Sequence, residues 1–261
     1  MTMTLAFAQQ KNKTQFIYKM KRFRFLLWLS FVGVLVLAIV NTRRRRPFLT
    51  EGLKGYSGAK GHKGHKGPKV YTLGDSSLNN SIYVPMTESI PHLLKTQFGA
   101  TTLATDGAEI RDVYRQLKDV PTKNSVAGAA LKQKKVLLLS VGGNDILNRT
   151  SKPMTDLTAA YQQLVAHIKE DVLDFNKGDQ LVLQDVYFPA DPAYRMYDPD
   201  IKGWNKMVVK EAEATKTVLL LKASTVLGNP KDFVYDIEPS GTGGALLSKA
   251  YAQLFQESIT S

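Results

Sequence analysis

The sequence predicts a three-layer α/β/α domain on a five-stranded parallel sheet, spanning about residues 70–258, and three observations carry that expectation. Short apolar runs alternate five times with segments of helical periodicity, the pattern of a parallel sheet covered on both faces. The run Lys135–Ser140 (KVLLLS) is apolar on both faces, as a central parallel strand requires. Glycines and acidic residues follow several of the runs, where strands end and turns begin.

Taken in order, Lys69–Leu73 reads as the first strand, stopped at Gly74, with Glu88–Gln97 as the helix after it. Thr101–Ala104 reads as a short second strand and Glu109–Leu117 as its helix. Lys135–Ser140 is the third strand. In Asp156–Asp174, Leu157, Tyr161, Leu164, Ile168 and Val172 recur at three- and four-residue spacing, which places them on one helix face. Gln180–Val186 is the fourth strand and Ile201–Ala214 its helix; Thr217–Leu221 is the fifth, and Gly243–Gln256 the closing helix. Right-handed crossovers make such an alternation doubly wound. Ligands then bind beyond the carboxyl ends of the strands.

Composition narrows the function classes. At 43% apolar and 22% charged residues, the 261-residue chain is globular in character. Its net charge of +12 is unevenly placed: residues 1–69 hold 15 Lys/Arg against the single acid Glu51, whereas residues 70–261 hold 20 Lys/Arg against 22 Asp/Glu. The excess is a basic flank to an apolar segment, so no nucleic-acid partner is expected. Without cysteine there is no disulfide, thiolate ligand or cysteine nucleophile. The four histidines (His62, His65, His92, His167) lack ligand spacing, so neither metal nor cofactor is expected.

Residues 1–24 form a basic tail, and Phe25–Val40 (FLLWLSFVGVLVLAIV) is an uncharged stretch between Lys19, Lys21, Arg22 and Arg24 on one side and Arg43–Arg46 on the other. Its sixteen residues fall short of the ~20 of a typical span, but snorkelling arginines allow it to cross a thin bilayer as a single transmembrane anchor. A signal-peptide core is opposed by the lack of a small-residue cleavage site, and a buried core helix by the arginine run. The expected arrangement is a cytoplasmic N-terminus with the domain lumenal or extracellular. Sequons at Asn79 and Asn148 are compatible with it. Residues 41–69 make a basic stalk in which Gly52, Gly55, Gly58, Gly61, Gly64 and Gly67 keep a strict three-residue period, with Lys third in five of six triplets. That is a collagen-like pattern and raises a homotrimer as one reading. Six triplets with one proline favour a flexible cationic spacer instead.

The chemistry lies in the strand-end turns. The first strand is followed by Gly74-Asp75-Ser76-Ser77-Leu78-Asn79-Asn80, the second by Asp106-Gly107-Ala108, the third by Val141-Gly142-Gly143-Asn144-Asp145, and the fifth, after a loop, by Asp236-Ile237-Glu238-Pro239-Ser240. Together these blocks resemble those of SGNH (GDSL-type) hydrolases over roughly residues 70–258. The resemblance implies a flavodoxin-like SGNH fold and a serine esterase acting on small acyl esters. It implies Ser76 as nucleophile, with the Ser76 N–H, the Gly107 N–H and the Asn144 side chain as oxyanion donors. A serine in a strand-to-helix turn exposes its hydroxyl near a helix N-terminus that favours negative charge. Glycine admits a close backbone donor, and Asn144 supplies an amide donor. Asp75 and Asp145 are expected to brace their loops.

The last block departs from the family pattern of Asp-x-x-His-Pro. Aligned on Pro239, Glu238 stands where histidine belongs and Tyr235 where aspartate belongs, with Asp236 one position off. His92 and His167 both read as helix residues. Three outcomes stay open: Glu238 or Asp236 is the base, aided by a pKa raised on burial; an oxyanion hole alone gives slow hydrolysis; or the domain is a non-catalytic binder of a carbonyl or sugar ester. The loop Tyr187–Trp204 is equally a substrate wall or a cover for the sheet end. The spacer reading of the stalk predicts that the full chain sediments as a monomer in detergent, and a trimer would restore the collagen-like reading.

Overall fold

The computed structural model describes residues 67–149 and 152–260, and the tail, the apolar segment 25–40 and the stalk through residue 66 lie outside them. Among the described residues no helix is long and apolar enough to cross a membrane.

Five strands form one parallel sheet in the order β2-β1-β3-β4-β5: β1 Lys69–Gly74, β2 Thr101–Thr102, β3 Lys135–Ser140, β4 Gln180–Gln184 and β5 Val218–Leu221. Strand order reverses between β1 and β3, and the crevice of such a sheet opens there. Side chains alternate between faces as a strand period of two demands. Val70, Val136, Leu138 and Val182 meet Ile90 and Leu94 of α1 (Ile90–Phe98) and Leu247 and Tyr251 of α8 (Gly241–Thr260). Tyr71, Leu73, Leu137, Leu139, Leu181 and Leu183 face α2 (Ile110–Gln116), α5 (Met154–His167) and α6 (Asp198–Glu213). This is the expected three-layer architecture.

Several boundaries differ from the sequence expectation for identifiable reasons. Strand β2 is two residues rather than four, because the Leu103 and Ala104 N–H groups both turn onto the Thr72 carbonyl (3.0 Å each) and the edge peels away. The long helix stops as α-helix at His167 and continues as a π-turn over Ile168–Val172, which keeps Ile168 and Val172 buried. Three short helices lack the length for a periodic signal: α3 (Val126–Ala130), α4 (Gly143–Leu147) and α7 (Ala223–Val226). A small antiparallel hairpin, β6 (Phe233–Val234) and β7 (Glu238–Pro239), occupies what reads as loop after β5. The Asn79 side chain donates to the Ala104 carbonyl at 2.7 Å, so the first sequon braces a loop.

The edge of the sheet away from the site is closed by a buried ion pair. Lys135 Nζ lies 3.4 Å from Asp179 Oδ2 and donates to the carbonyls of Pro121 (2.9 Å) and Val172 (2.5 Å). Asp179 in turn accepts the N–H of Lys135 (2.7 Å) and of Asp174 (2.9 Å). Removing one partner leaves the other charge uncompensated. Lys135→Met is therefore expected to lower unfolding free energy by ~3–5 kcal/mol in urea titration.

Candidate active site

The site begins with a close backbone contact. Gly74, the last residue of β1, has φ +118°, and a Cβ there would lie 1.7 Å from the Ser140 carbonyl oxygen at the end of β3. Only glycine fits. The Asp75 N–H donates to that oxygen at 3.1 Å, and the Gln116 side chain clamps Gly74 from α2, accepting its N–H (2.7 Å) and donating to its carbonyl (2.9 Å). The chain then leaves the sheet in consecutive turns, Leu78 N–H to Asp75 and Asn79 N–H to Ser76. Ser76 sits at the head of these turns, and buried Leu78 pins them to the core. No helix begins here: α1 starts at Ile90, after residues 79–89. The expected helix dipole behind Ser76 is thus absent, and backbone donors must serve in its place.

Beneath Ser76 runs a directed chain of hydrogen bonds. Tyr251 Oη donates to Gln184 Oε1 (2.8 Å), Gln184 Nε2 to Ser140 Oγ (2.9 Å), and Ser77 Oγ to Asp75 Oδ1 (2.6 Å). The Ser140 and Ser77 hydroxyls are 2.5 Å apart. Because Ser77 spends its proton on Asp75, Ser140 must donate to Ser77. Every bond therefore points toward the Asp75 carboxylate and links α8, β4, β3 and β1. Burial nevertheless holds the Asp75 carboxyl up, at about 6, against the lowering effect of the Ser77 hydroxyl and N–H.

Asn144 lies in the first turn of α4, where Gly142 (φ +115°) packs on the Trp204 indole and a Cβ would clash at 2.2 Å. Asn144 Nδ2 donates to the Ala108 carbonyl at 3.1 Å, tying the third-strand turn to the Asp106-Gly107-Ala108 turn. Asp145 accepts the Ile110 N–H at 3.1 Å and caps α2; burial raises it to about 6. Both aspartates brace loops, as their positions in the sequence suggest. Neither the Ser76 nor the Gly107 backbone N–H has an acceptor among the described residues. Gly107 has φ +69°, is exposed, and is not among the residues that line the cleft.

Glu238 reaches this center from the hairpin. It is 8% exposed, and the Ser76 side chain is its hydrogen-bonding neighbour. Among the described residues its Oε2 is buried and unpartnered. Burial raises the Glu238 carboxyl to about 7, helped by the charges of Asp106 and Asp75 and opposed by Ser76. The buried Asn80 positions this strand, donating to the Pro239 carbonyl (2.9 Å) while accepting the Ile90 N–H (2.7 Å). Asp236, the other expected base, sits at φ +70° on the exposed hairpin tip and is not among the residues that line the cleft. His167 pairs with Asp171 on the surface (2.8 Å), and neither it nor His92 reaches the cleft.

Ser76, Asn144 and Glu238 line a cleft of about 550 Å³ over the ends of β1, β3 and β4. Ile146, Leu147, Val186, Pro189, Ile201 and Ile237 give it an apolar wall. The loop after β4 divides between its two expected roles. Tyr187 and Pro189 line the cleft, with the Tyr187 ring tilted against Phe233 at a centroid distance of 5.5 Å, whereas Met196 is 75% exposed. Asn80, Ser140, Gln184 and Tyr251 had no distinct signal in the sequence, since single polar residues within apolar elements do not announce their partners.

By sequence, the chain matches no protein-family model and no curated protein. Its fold matches solved structures of GDSL-type lipases and esterases. A lipolytic G-D-S-L family protein from Veillonella parvula superimposes with TM-score 0.56 at 15% identity, over 72% of this chain and 98% of that one. A GDSL-like lipase from Bacteroides thetaiotaomicron gives 0.53 at 16%, over 73% and 88%. A psychrotrophic esterase from Pseudoalteromonas, in a structure inhibited by monoethylphosphonate, gives 0.51 at 14%, over 74% and 99%. The domain therefore has the SGNH hydrolase fold.

The buried Asp75 and Glu238 and the half-buried Asp145 titrate above their ordinary values of 3.8 (Asp75, Asp145) and 4.5 (Glu238). The native state then holds more protons than the unfolded chain between about pH 4 and 7, and stability falls as pH rises through that window. Urea midpoints are expected to decline from pH 4 to 7, and less steeply in Glu238→Gln.

Proposed function

We propose that the domain is a serine ester hydrolase in which Glu238 takes the nucleophile's proton directly, without a histidine. The observation that carries this reading is Glu238: a carboxyl held near neutrality in an apolar cleft, with the Ser76 hydroxyl as its neighbour. A general base works best when its pKa lies near the working pH.

In the proposed reaction, Ser76 Oγ attacks the acyl carbon as its proton passes to Glu238. The new C–O bond places negative charge on the carbonyl oxygen. The free N–H groups of Ser76 and Gly107, with the second amide proton of Asn144, are the donors available to hold it. Collapse breaks the ester C–O bond, and Glu238 returns the proton to the leaving alcohol. Water then attacks the acyl-serine with Glu238 again as base, releasing the carboxylic acid and restoring Ser76. The apolar wall suits the acyl chain of a small ester. No step draws on a metal or cofactor.

A non-catalytic ester binder would use the same cleft and donors, and it differs only in whether Glu238 moves a proton. The N-terminal segments complete the proposal: Phe25–Val40 as anchor and the glycine-periodic stalk as spacer would hold the domain on the lumenal or extracellular side.

On short-chain p-nitrophenyl esters, Ser76→Ala is expected to abolish turnover and labelling by a fluorophosphonate probe. Glu238→Gln is expected to lower kcat by ~10²–10⁴, and Asn144→Ala by ~10²–10³. Because the base must be ionised, kcat/KM should fall as pH drops below about 7, and this limb should vanish in Glu238→Gln. Equal rates for the wild type and Ser76→Ala would leave only the binder.

A further inference from the structure

The mouth of the cleft has a chemistry that the reaction itself does not require. Tyr83, from the turns after Ser76, and Tyr235, from the hairpin tip, face each other with ring centroids 5.9 Å apart and planes tilted by 59°. Tyr83 Oη donates to Asp106 Oδ1 at 2.7 Å, which fixes the ring against the turn that carries Gly107. Tyr235 is 71% exposed and stands at φ +50°, a conformation unfavourable for a residue with a Cβ. Its neighbour Asp236 is also left-handed, and the tip is tied down where the Asp236 carbonyl accepts the Ala190 N–H (3.2 Å). A strained tip that presents an aromatic ring to solvent beside a second ring is an open aromatic corner.

Charge along the cleft has one sign among the described residues: Asp75, Asp185 and Glu238 line it, and none of the described Lys, Arg or His residues does. Asp106, Asp236 and Glu238 have no salt-bridge partner among the described residues. Glu238 is more than nine-tenths buried, and its Oε2 has no partner. The hairpin that carries Tyr235 at its tip runs directly into Ile237 and Glu238, which line the cleft, so the corner borders the cleft without lining it. Ser76 and Glu238 thus stand between an apolar wall on one side and an aromatic, acidic rim on the other. An acyl chain suits the wall, which leaves the alcohol half of an ester to meet the rim. Ring faces and carboxylates both attract cations, and alkylammonium groups are a recurrent ligand of aromatic cages.

We infer that the site selects esters whose alcohol bears an alkylammonium cation, held against the exposed side of the Tyr83–Tyr235 ring pair and near the Asp106 carboxylate. The inference rests on the esterase reading of Ser76 and Glu238. Ester bonds to anionic alcohols are disfavoured by the same carboxylates.

The test uses the full chain in neutral detergent and compares butyrylcholine with its uncharged isostere, 3,3-dimethylbutyl butyrate. The expected kcat/KM ratio is at least ~10 in favour of the cation, falling toward one in Asp106→Asn and Tyr235→Ala and with added salt. Tetramethylammonium is expected to inhibit competitively where neopentyl alcohol does not, a measurement that needs no variant. Equal turnover of the two esters would overturn the cation inference while leaving the esterase intact. No turnover of either, with no fluorophosphonate labelling of Ser76, would end both. Lysophosphatidylcholine is the second substrate arm: turnover of the choline ester alone assigns the cation to a small soluble ester, and turnover of both extends the same selectivity to a phospholipid headgroup.

Discussion

The arrangement depends on the contact between the carboxyl ends of β1 and β3, where Gly74 lies against the Ser140 carbonyl. With any side chain at position 74 the two strand ends would have to part, since a Cβ would sit 1.7 Å from that oxygen. The contact sets where the chain leaves the sheet, and so where Ser76 stands. It also brings the Ser140 hydroxyl under Ser77, which completes the one-way hydrogen-bond chain from Tyr251 to Asp75. Buried polar groups are costly when unpaired and restrictive when paired. Here the chain is satisfied at every hydroxyl, and it locks β1, β3, β4 and α8 in one register around the nucleophile.

The same burial that makes the network specific also raises the Glu238 carboxyl. Among the described residues Glu238 has no cation beside it, and Asp75 and Asp106 add negative charge, so its proton is held more tightly than in water. A histidine in that place would face the opposite effect, because burial disfavours its charged form while the acids favour it. On the proposed reading, a carboxyl in that place supplies a base near neutrality by a different balance of forces. Asn80 supplies the mechanical counterpart, fastening the strand that carries Glu238 to the nucleophile loop and to the start of α1.

Much of the site was legible because short motifs encode local geometry. The Gly74-Asp75-Ser76 and Gly142-Gly143-Asn144-Asp145 turns need glycines at positive φ, and those positions can be read from the chain. The helix after the first strand was legible, read at Glu88–Gln97 and found at Ile90–Phe98, but residues 79–89 separate its N-terminus from Ser76 in the chain, so the expectation of a helix dipole behind the serine fails. The ambiguity between Asp236 and Glu238 could not be resolved along the chain either. Two adjacent acids differ only in which way a hairpin turns them: strand pairing of Val234 with Glu238 sends one inward, and the left-handed tip leaves the other in solvent.

By itself the sequence determined the doubly wound layering, the three central strands nearly to the residue, and the glycine, serine and asparagine turns at one edge. These follow from hydrophobic period and from backbone sterics, which act over a few neighbouring residues. Only the tertiary structure decided that Glu238 rather than Asp236 meets Ser76, that Asn80, Gln184 and Tyr251 form the polar frame beneath, and that Tyr83 and Tyr235 pair across the mouth. Those meetings join residues far apart in the chain, Gln184 and Tyr251 by 67 positions and Asn80 and Pro239 by 159. Their meeting is fixed by sheet order and by burial of both apolar faces, not by anything in the local sequence.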